Sequence, residues 1–474
     1  MNPGRASKLT LWALSWPLYI ETALATLAGT VGLALAGHVS PAAVALLGLS
    51  NTLRAVLDRI FRIVSTGTSV LLARSLGSGN TEHAAAYIRS GLASSFWLGA
   101  VVMCVLGAMP RVVLQALQLP ADLAELAVPF LQVLGGVALL DAVIVTMLAC
   151  VRAFAHTKLS MHAVTLMNVV HLLVSAWLVL GLFDTPPQGV MSFAWGLLAS
   201  RVVALLFLCM FWVAALRVLV HVRDLFFLTH AGAHTALRDI VAIGLPSAAE
   251  KIVFQLCFLA TLSMAASLGT DVLATHAYVS NVGAWIGLGA AALGTATEIL
   301  VSHHIGAGRF ADARRDVAKA IKAGMLITAA GAVIAMVVAP WMIAHQVHDK
   351  AVLSLLIVVL GLEILAGFGR CLNMIVLGAL RAAGDVRWPV KITVAVNLLL
   401  GTLTPWLLAI VLGFGLPGLW IGYVLDQGMR GVVMLMRWKK LGWLRFAADA
   451  RRRLRPKRAA LSHAAEVRAA PPLS

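Results

Sequence analysis

Residues 229 positions apart in this chain keep repeating one another. Pro17 and Glu21 recur as Pro246 and Glu250, since 246 − 17 and 250 − 21 both equal 229. Thr66 and Thr68 return as Thr295 and Thr297, Gly77 and Gly79 as Gly306 and Gly308, Arg152-Ala153 as Arg381-Ala382, Asn168 as Asn397 and Trp177 as Trp406. One offset that serves almost from end to end of each copy restricts the chain to two like halves. Hydrophobic residues fill 61% of the 474 positions and charged residues only 12%, against about 25% charged in soluble domains. Mean hydropathy is +0.92. A long-period repeat in so apolar a chain points to a transporter with its substrate site between two homologous halves.

The apolar runs are long enough to cross a bilayer as helices. Gly, Pro and charge clusters such as Pro110-Arg111 and Asp184-Thr185-Pro186-Pro187 separate them. They predict six spans in the first half, at 12–37, 44–72, 91–118, 126–150, 160–182 and 190–216. Six more are expected in the second half, at 240–268, 272–302, 320–344, 351–380, 392–414 and 417–437. The expected fold is therefore all-α and integral to the membrane, with twelve helices in two six-helix lobes related as parallel repeats around a V-shaped central cavity. The lobes are expected at 1–216 and 240–437, joined by a linker at 217–239 and followed by a basic, partly disordered tail at 438–474. The basic start at Arg5 and Lys8 resembles a leader peptide, but the run after it is too long, carries Glu21 and aligns with the second copy. It reads as the first span.

The net charge of +17 does not imply nucleic acid, because the basic residues follow the membrane rather than one soluble face. Loops after spans 2, 4, 6, 8 and 10 hold them, among them Arg74, Arg152, Arg238, Arg309 and Arg381, and the alternate loops hold little beyond Arg111 and Lys350. The positive-inside rule then places both termini in the cytoplasm of a multi-pass inner (plasma) membrane protein. The tail carries Arg451-Arg452-Arg453 and Arg455-Pro456-Lys457-Arg458, which suit anionic lipid and lack the aromatic interleaving of a nucleic-acid surface. The five cysteines are scattered singly, with neither a disulfide framework nor a metal spacing.

Ionisable residues within the spans are the candidate site, since charge at membrane depth is costly and faces an interior or wet cavity. Seven acids lie there by this map (Glu21, Asp58, Asp141, Glu250, Glu298, Glu363 and Asp426), with seven bases (Arg54, Arg59, Arg62, Arg201, Lys251, Arg370 and Arg430). Asp426 and Arg430 stand one turn apart, as a local ion pair would. Arg54, Asp58 and Arg62 stack at i, i+4 and i+8, so Asp58 is placed to bridge two arginines. Glu21 and Glu250 each follow by four residues a proline that bends or interrupts the first helix of its half, where a proton- or cation-coupling carboxylate is expected. Asp141 and Arg370 are equivalent positions of opposite charge (370 − 141 = 229). Either they meet across the cleft as a latch or each pairs within its own half.

The motifs, taken in order, resemble the multidrug and toxic compound extrusion (MATE) family over nearly the whole chain. TGTSVLLARSLGSGN at 66–80 resembles that family's second span and following loop, and Gly244-Leu245-Pro246-Ser247-Ala248-Ala249-Glu250 its seventh span. Ala274-Thr275-His276 is similar to its Ala-Ala-His, and Ala379-Leu380-Arg381-Ala382-Ala383-Gly384-Asp385 to its loop after span 10. The resemblance implies a twelve-helix antiporter that exports drugs or organic cations against H+ or Na+, with no other cofactor. Two acids of the family pattern are missing. Val31-Gly32 stands where a Val-Asp precedes the Gly37-His38 pair, and Arg370 stands where some members carry an acid.

The expected partners are a small-molecule substrate and the lipid bilayer, with no nucleic acid, and the protein is expected to act as a monomer. Beyond Glu250 and Glu21, cavity candidates are Arg54, Asp58, Arg62, Asp141, Arg370, Asn168, Asn397 and His276. The span-2 arginines Arg54, Arg59 and Arg62 also suit an anionic substrate, which leaves a flippase for an anionic or lipid-linked substrate as an alternative. A membrane prenyltransferase would need two carboxylate clusters for Mg2+ and diphosphate. Only Asp312-Ala313-Arg314-Arg315-Asp316 has the spacing, beside His303-His304, so no enzyme and no metal site is expected.

Overall fold

In a computed structural model of the chain, residues 9–116, 121–181, 189–216, 224, 232–344 and 350–454 are described. The first half comprises α1 (Leu11–Gly37), α2 (Pro41–Ser78), α3 (Thr81–Ala108), a short α4 (Pro110–Ala116), α5 (Ala121–Ala153), α6 (Thr157–Leu180) and α7 (Met191–Leu216). The second comprises α8 (Ala233–Ser267), α9 (Thr270–Ala307), α10 (Phe310–Ala344), α11 (Lys350–Ala383), α12 (Arg387–Val411), α13 (Gly415–Lys439) and α14 (Trp443–Arg453). The described residues contain no strand. Setting aside α4 and α14, twelve long helices divide six and six, and ten of them are apolar enough to cross a membrane on composition alone. The other two, α2 and α13, carry mid-helix charge at Arg54, Asp58, Arg59 and Arg62, and at Asp426 and Arg430.

The repeated glycines end equivalent helices. Gly79 and Gly308 both take φ of 75°, the left-handed cap that closes α2 and α9. Asn80 then caps α3 by accepting from the His83 N–H at 3.0 Å. The third span expected at 91–118 ends early, at Ala108, because Pro110 has no N–H to continue it and opens α4 instead. Helices α3 and α10 begin about ten residues before the expected spans, their charged first turns projecting beyond the apolar stretch.

In α12 the hydrogen bonding widens to π geometry over Leu399–Leu403 and Leu407–Val411, on either side of Pro405. The missing proline N–H and its ring are accommodated by the wider turns. Its ring packs against Gly422 of α13, where a Cβ would collide with it. The equivalent position in the first half is Ala176, and α6 stays α-helical throughout.

Each half has its own core. Phe61, Phe130, Leu134 and Phe193 anchor one cluster in the first, and Val376, Met434, Trp438 and Trp443 one in the second. Leu173, Leu206, Met210, Leu326, Val333 and Val337 lie exposed on the outer surface, as lipid-facing helices require. Between the halves, α2 packs on α8 and α9, and α1 packs on α9.

The stretch expected as a free tail starts otherwise. α14 buries Trp443 and Ala447, and Trp443 stacks on Trp438 with ring centroids 4.2 Å apart. Residues 455–474, and 217–223 and 225–231 of the expected linker, lie outside the described residues.

Candidate functional site: two cavities and a closed face

Two cavities flank the junction of the halves. One, of about 470 Å3, is lined by charged side chains of the first half: Glu21, Arg54, Asp58, Arg62, Asp141, Arg152 and Arg201. The other, of about 570 Å3, is aromatic, with Phe254, Phe258, His276, Trp420 and Tyr423 alongside Glu250, Glu363, Arg370 and Arg430. Arg62, Lys251, Thr295, Glu298 and Arg381 border both, so the two spaces share a wall.

Nearly every charge on these walls has a partner. Glu21 pairs with Arg152, and Ser160 ties the pair together: its hydroxyl accepts from Arg152 Nε at 2.9 Å and donates to Glu21 Oε2 at 2.8 Å. Asp141 holds Arg201 at 3.0 Å and Arg54 at 3.6 Å. Asp58 holds Arg62 at 2.7 Å. Across the shared wall, Glu363 holds Arg370 at 2.7 Å, and Asp426 pairs with Arg430. Glu298 Oε2 lies 3.2 Å from Arg381 Nε, but that N–H is not aimed at it and makes no hydrogen bond. Glu250 and Lys251 are the exceptions: neither forms an ion pair among the described residues, and Glu250 Oε2 is buried with no hydrogen-bond partner there.

These pairings decide between several expectations. Asp141 and Arg370 form no latch; each pairs within its own half, because Arg54 and Arg201 already surround Asp141. Asp58 does not bridge two arginines, since Arg54 reaches α5 instead. Asn168 and Asn397 stand on neither cavity wall. Asn168 donates to the Val164 carbonyl of its own helix at 2.9 Å, and Asn397 is buried beside Gly401. His276 does line the aromatic cavity, packed between Phe258 and Trp420. Arg59 lines neither cavity and donates across the halves to Gln255 Oε1.

The basic ends of the helices are closed by a two-armed clasp that follows the repeat. Arg74 at the end of α2 donates to the carbonyls of Arg381 and Ala382, both at 2.9 Å. Its equivalent, His303 at the end of α9, has Nε2 2.7 Å from the carbonyl of Ala153, itself the equivalent of Ala382. The two helices cross so closely here that a Cβ on Gly77 would meet the His303 carbonyl and one on Gly306 the Arg74 carbonyl. Only glycine permits that approach, which accounts for the repeated pair. Five residues inward, about 7.5 Å along each helix, Ser69 and Glu298 already line the cavities.

From the sequence, Glu298 and Lys251 are intramembrane charges with no assigned place at the site, and Arg74, Arg152, His303 and Arg381 are loop residues. The repeat held the missing signal: Arg152 and Arg381 recur at 229, while Ser69 becomes Glu298. On the basic surface, His304 takes Asp316 at 2.9 Å and Asp312 pairs with Arg315 at 3.7 Å. No group of three or more potential metal ligands occurs among the described residues.

Two homologous helical lobes enclosing charged cavities at membrane depth define a multi-pass membrane transporter rather than an enzyme. The MatE family model matches residues 17–177 and 246–407, two segments whose starts are again 229 apart. The chain therefore belongs to the MATE family. It is 27% identical over 435 residues to the uncharacterized transporter YisQ of Bacillus subtilis, covering 92% of this chain and 95% of that one. It is 24% identical over 459 residues to the multidrug resistance protein PmpM of Pseudomonas aeruginosa, covering 95% and 93%. A crystal structure of MATE in the straight conformation superposes with a TM-score of 0.83 at 20% identity, covering 94% of this chain and 97% of that one. A Pyrococcus furiosus transporter described as having a binding pocket of reverse polarity matches with a TM-score of 0.82, 20% identity and the same coverage.

Proposed function

We propose that this protein exports small amphipathic compounds by alternating access, in exchange for H+ or Na+, with Glu250 as the coupling residue. The observation that carries this reading is a buried carboxylate on an aromatic cavity wall, four residues after a proline inside the continuous helix α8, with one oxygen left without a hydrogen-bond partner among the described residues. A carboxylate in that position binds a proton or cation readily, whereas one held by arginine does not. Glu21, its counterpart, is committed to Arg152 and Ser160 and has a secondary role at most. The closed basic face supports a cycle in which one side shuts while the other gives access to the cavities. In this reading both termini are cytoplasmic, the protein lies in the inner (plasma) membrane and acts as a monomer, and no cofactor beyond the coupling ion takes part. PmpM, named as a multidrug resistance protein, supports drugs as the substrate class.

One observation favours a second reading. Among the described residues, eight basic side chains line the two cavities against six acidic ones, and Lys251 has no carboxylate partner. Such walls suit an anionic substrate, as for a flippase of anionic or lipid-linked compounds. The reverse polarity described for the Pyrococcus transporter pocket is in keeping with that variant. Proteoliposomes with imposed pH or Na+ gradients, loaded with a cationic dye or with an anionic one, separate the two. Gradient-driven export is expected to fall at least tenfold in Glu250→Gln, with the protein still folded. Undiminished export in that variant overturns the coupling role.

A further inference from the structure

Arg381 shares a cavity wall with two carboxylates, Glu298 and Glu250, and stands beneath the clasp. Its guanidinium reaches Glu298 on α9, 3.2 Å away but poorly aimed, and it lines the same cavity as Glu250. Its backbone carbonyl and that of Ala382 are the two acceptors of Arg74, the longer arm of the clasp. The first half shows the arrangement the repeat would impose. There Arg152, the equivalent of Arg381, holds Glu21, the equivalent of Glu250. Two substitutions break that arrangement in the second half. Ser69 is replaced by Glu298, which draws Arg381 away, and Ser160, which ties Glu21 to Arg152, is replaced by Pro389, which has no hydroxyl to do so.

We infer that Arg381 is a switch that moves between Glu298 and Glu250 according to the charge on Glu250, and that its backbone carries this change to the clasp at the basic face. With Glu250 neutral, Arg381 rests on Glu298 and presents its carbonyl to Arg74, the arrangement seen here. With Glu250 charged, Arg381 turns to it as Arg152 does to Glu21, the carbonyls of Arg381 and Ala382 shift, and Arg74 loses its acceptors. Arg381 is thus a positioning residue for transport. Glu298 is its resting partner, a role that a serine at that place does not supply. The wall around Glu250 also carries Arg62 from α2, Lys251 from α8, His276 from α9, the Glu363–Arg370 pair from α11 and Arg430 from α13. Arg62, Arg370 and Arg430 are hydrogen-bonded to carboxylates, which leaves Arg381, not hydrogen-bonded to Glu298, and Lys251 as the cations able to respond. Lys251 leaves Glu250 on the helix at about 100°, facing both cavities rather than its neighbour.

The inference rests on Glu250 as the coupling residue, and the experiment separates the two. Cysteines at Glu82 and Ala311, exposed and equivalent positions in the two halves, are introduced into a chain whose five native cysteines are replaced by alanine. Spin labels on them report the width of the basic face in lipid nanodiscs, titrated with pH at constant Na+ and with Na+ at constant pH. In the otherwise unchanged protein the distance is expected to be short at low pH and to lengthen as pH rises. Glu250→Gln is expected to stay short throughout. Glu298→Ser, which restores the first-half residue, frees Arg381 to hold Glu250 charged, so the midpoint falls by about one pH unit or more. Glu298→Gln, which keeps the bulk, shifts it in the same direction and covers a folding failure of the serine variant. No response to either ion in the parent overturns both the coupling role and the switch. A normal response in the parent, abolished by Glu250→Gln but with an unchanged midpoint in both Glu298 variants, overturns the switch alone.

Discussion

In the first half Glu21 and Asp141 are held by arginines from neighbouring helices, whereas in the second Glu363 and Asp426 are held by arginines of their own helices. Asp141 of α5 draws Arg54 from α2 and Arg201 from α7. At the matching places Arg370 pairs with Glu363 on its own helix and Arg430 with Asp426 on its own helix. The exchange of Asp141 for Arg370 explains the rewiring. Gly283 stands where Arg54 would, and its carbonyl accepts from Arg370 at 2.9 Å, so the helix contact survives with its chemistry reversed. A side chain at Gly283 would strike the Glu363 carboxylate. The first half is thereby cross-braced around Asp141, while in the second one carboxylate, Glu250, has no hydrogen-bonding partner for Oε2 among the described residues.

The hardest way to break that contrast is to unpair a charge. Arg430→Ala leaves Asp426 buried without its cation and is expected to cost about 3–5 kcal/mol. Thermal unfolding in detergent measures it, and the double change to leucine at 426 and 430 should recover most of the loss, since Leu197 occupies the place of Asp426 in the first half. A double variant as unstable as the single one would show that the pair does more than satisfy itself. A smaller effect is expected at the clasp. Arg74→Ala removes two charge-assisted bonds, about 1.5–3 kcal/mol each at most, and His303→Ala removes one weaker bond. Maleimide labelling of a cysteine at Ser78 should therefore speed up at least tenfold more in the arginine variant. Equal rates would mean that the two arms are equivalent after all. The smallest change is expected from Pro405→Ala, which gives α12 the residue found in α6. It should alter stability by no more than about 1 kcal/mol, because the wider turns already accommodate the proline.

Much of this was legible in the sequence, but not all of it. The offset of 229 located both lobes, the proline–glutamate pairs and the arginine–alanine pairs, because homologous positions keep homologous backbones. Helical spacing also identified the Asp426–Arg430 pair, where one turn is the whole distance involved. Contacts between helices were out of reach, since they depend on helix rotation and crossing points that no periodicity encodes. Thus the capture of Arg54 by Asp141 and the departure of Asn168 and Asn397 from the cavity walls appear only in three dimensions. Glu298 was visible as an intramembrane acid, yet its role depends on lying across from Arg381. Nor does the arginine-rich composition near the chain end reveal that its first turns dock on a tryptophan.

That docking places a handle beside the clasp. The last carbonyl of the docked segment, on Leu454, accepts from the Asn80 side chain at 3.1 Å, so a helix belonging to the second half is tied to the first beside the clasp. A fluorophore introduced at the exposed Arg452, with a quencher on the exposed Glu82 of α3, would form an optical gauge across that tie. Its signal would report any change in the separation across that tie in real time, in intact membranes and without added substrate.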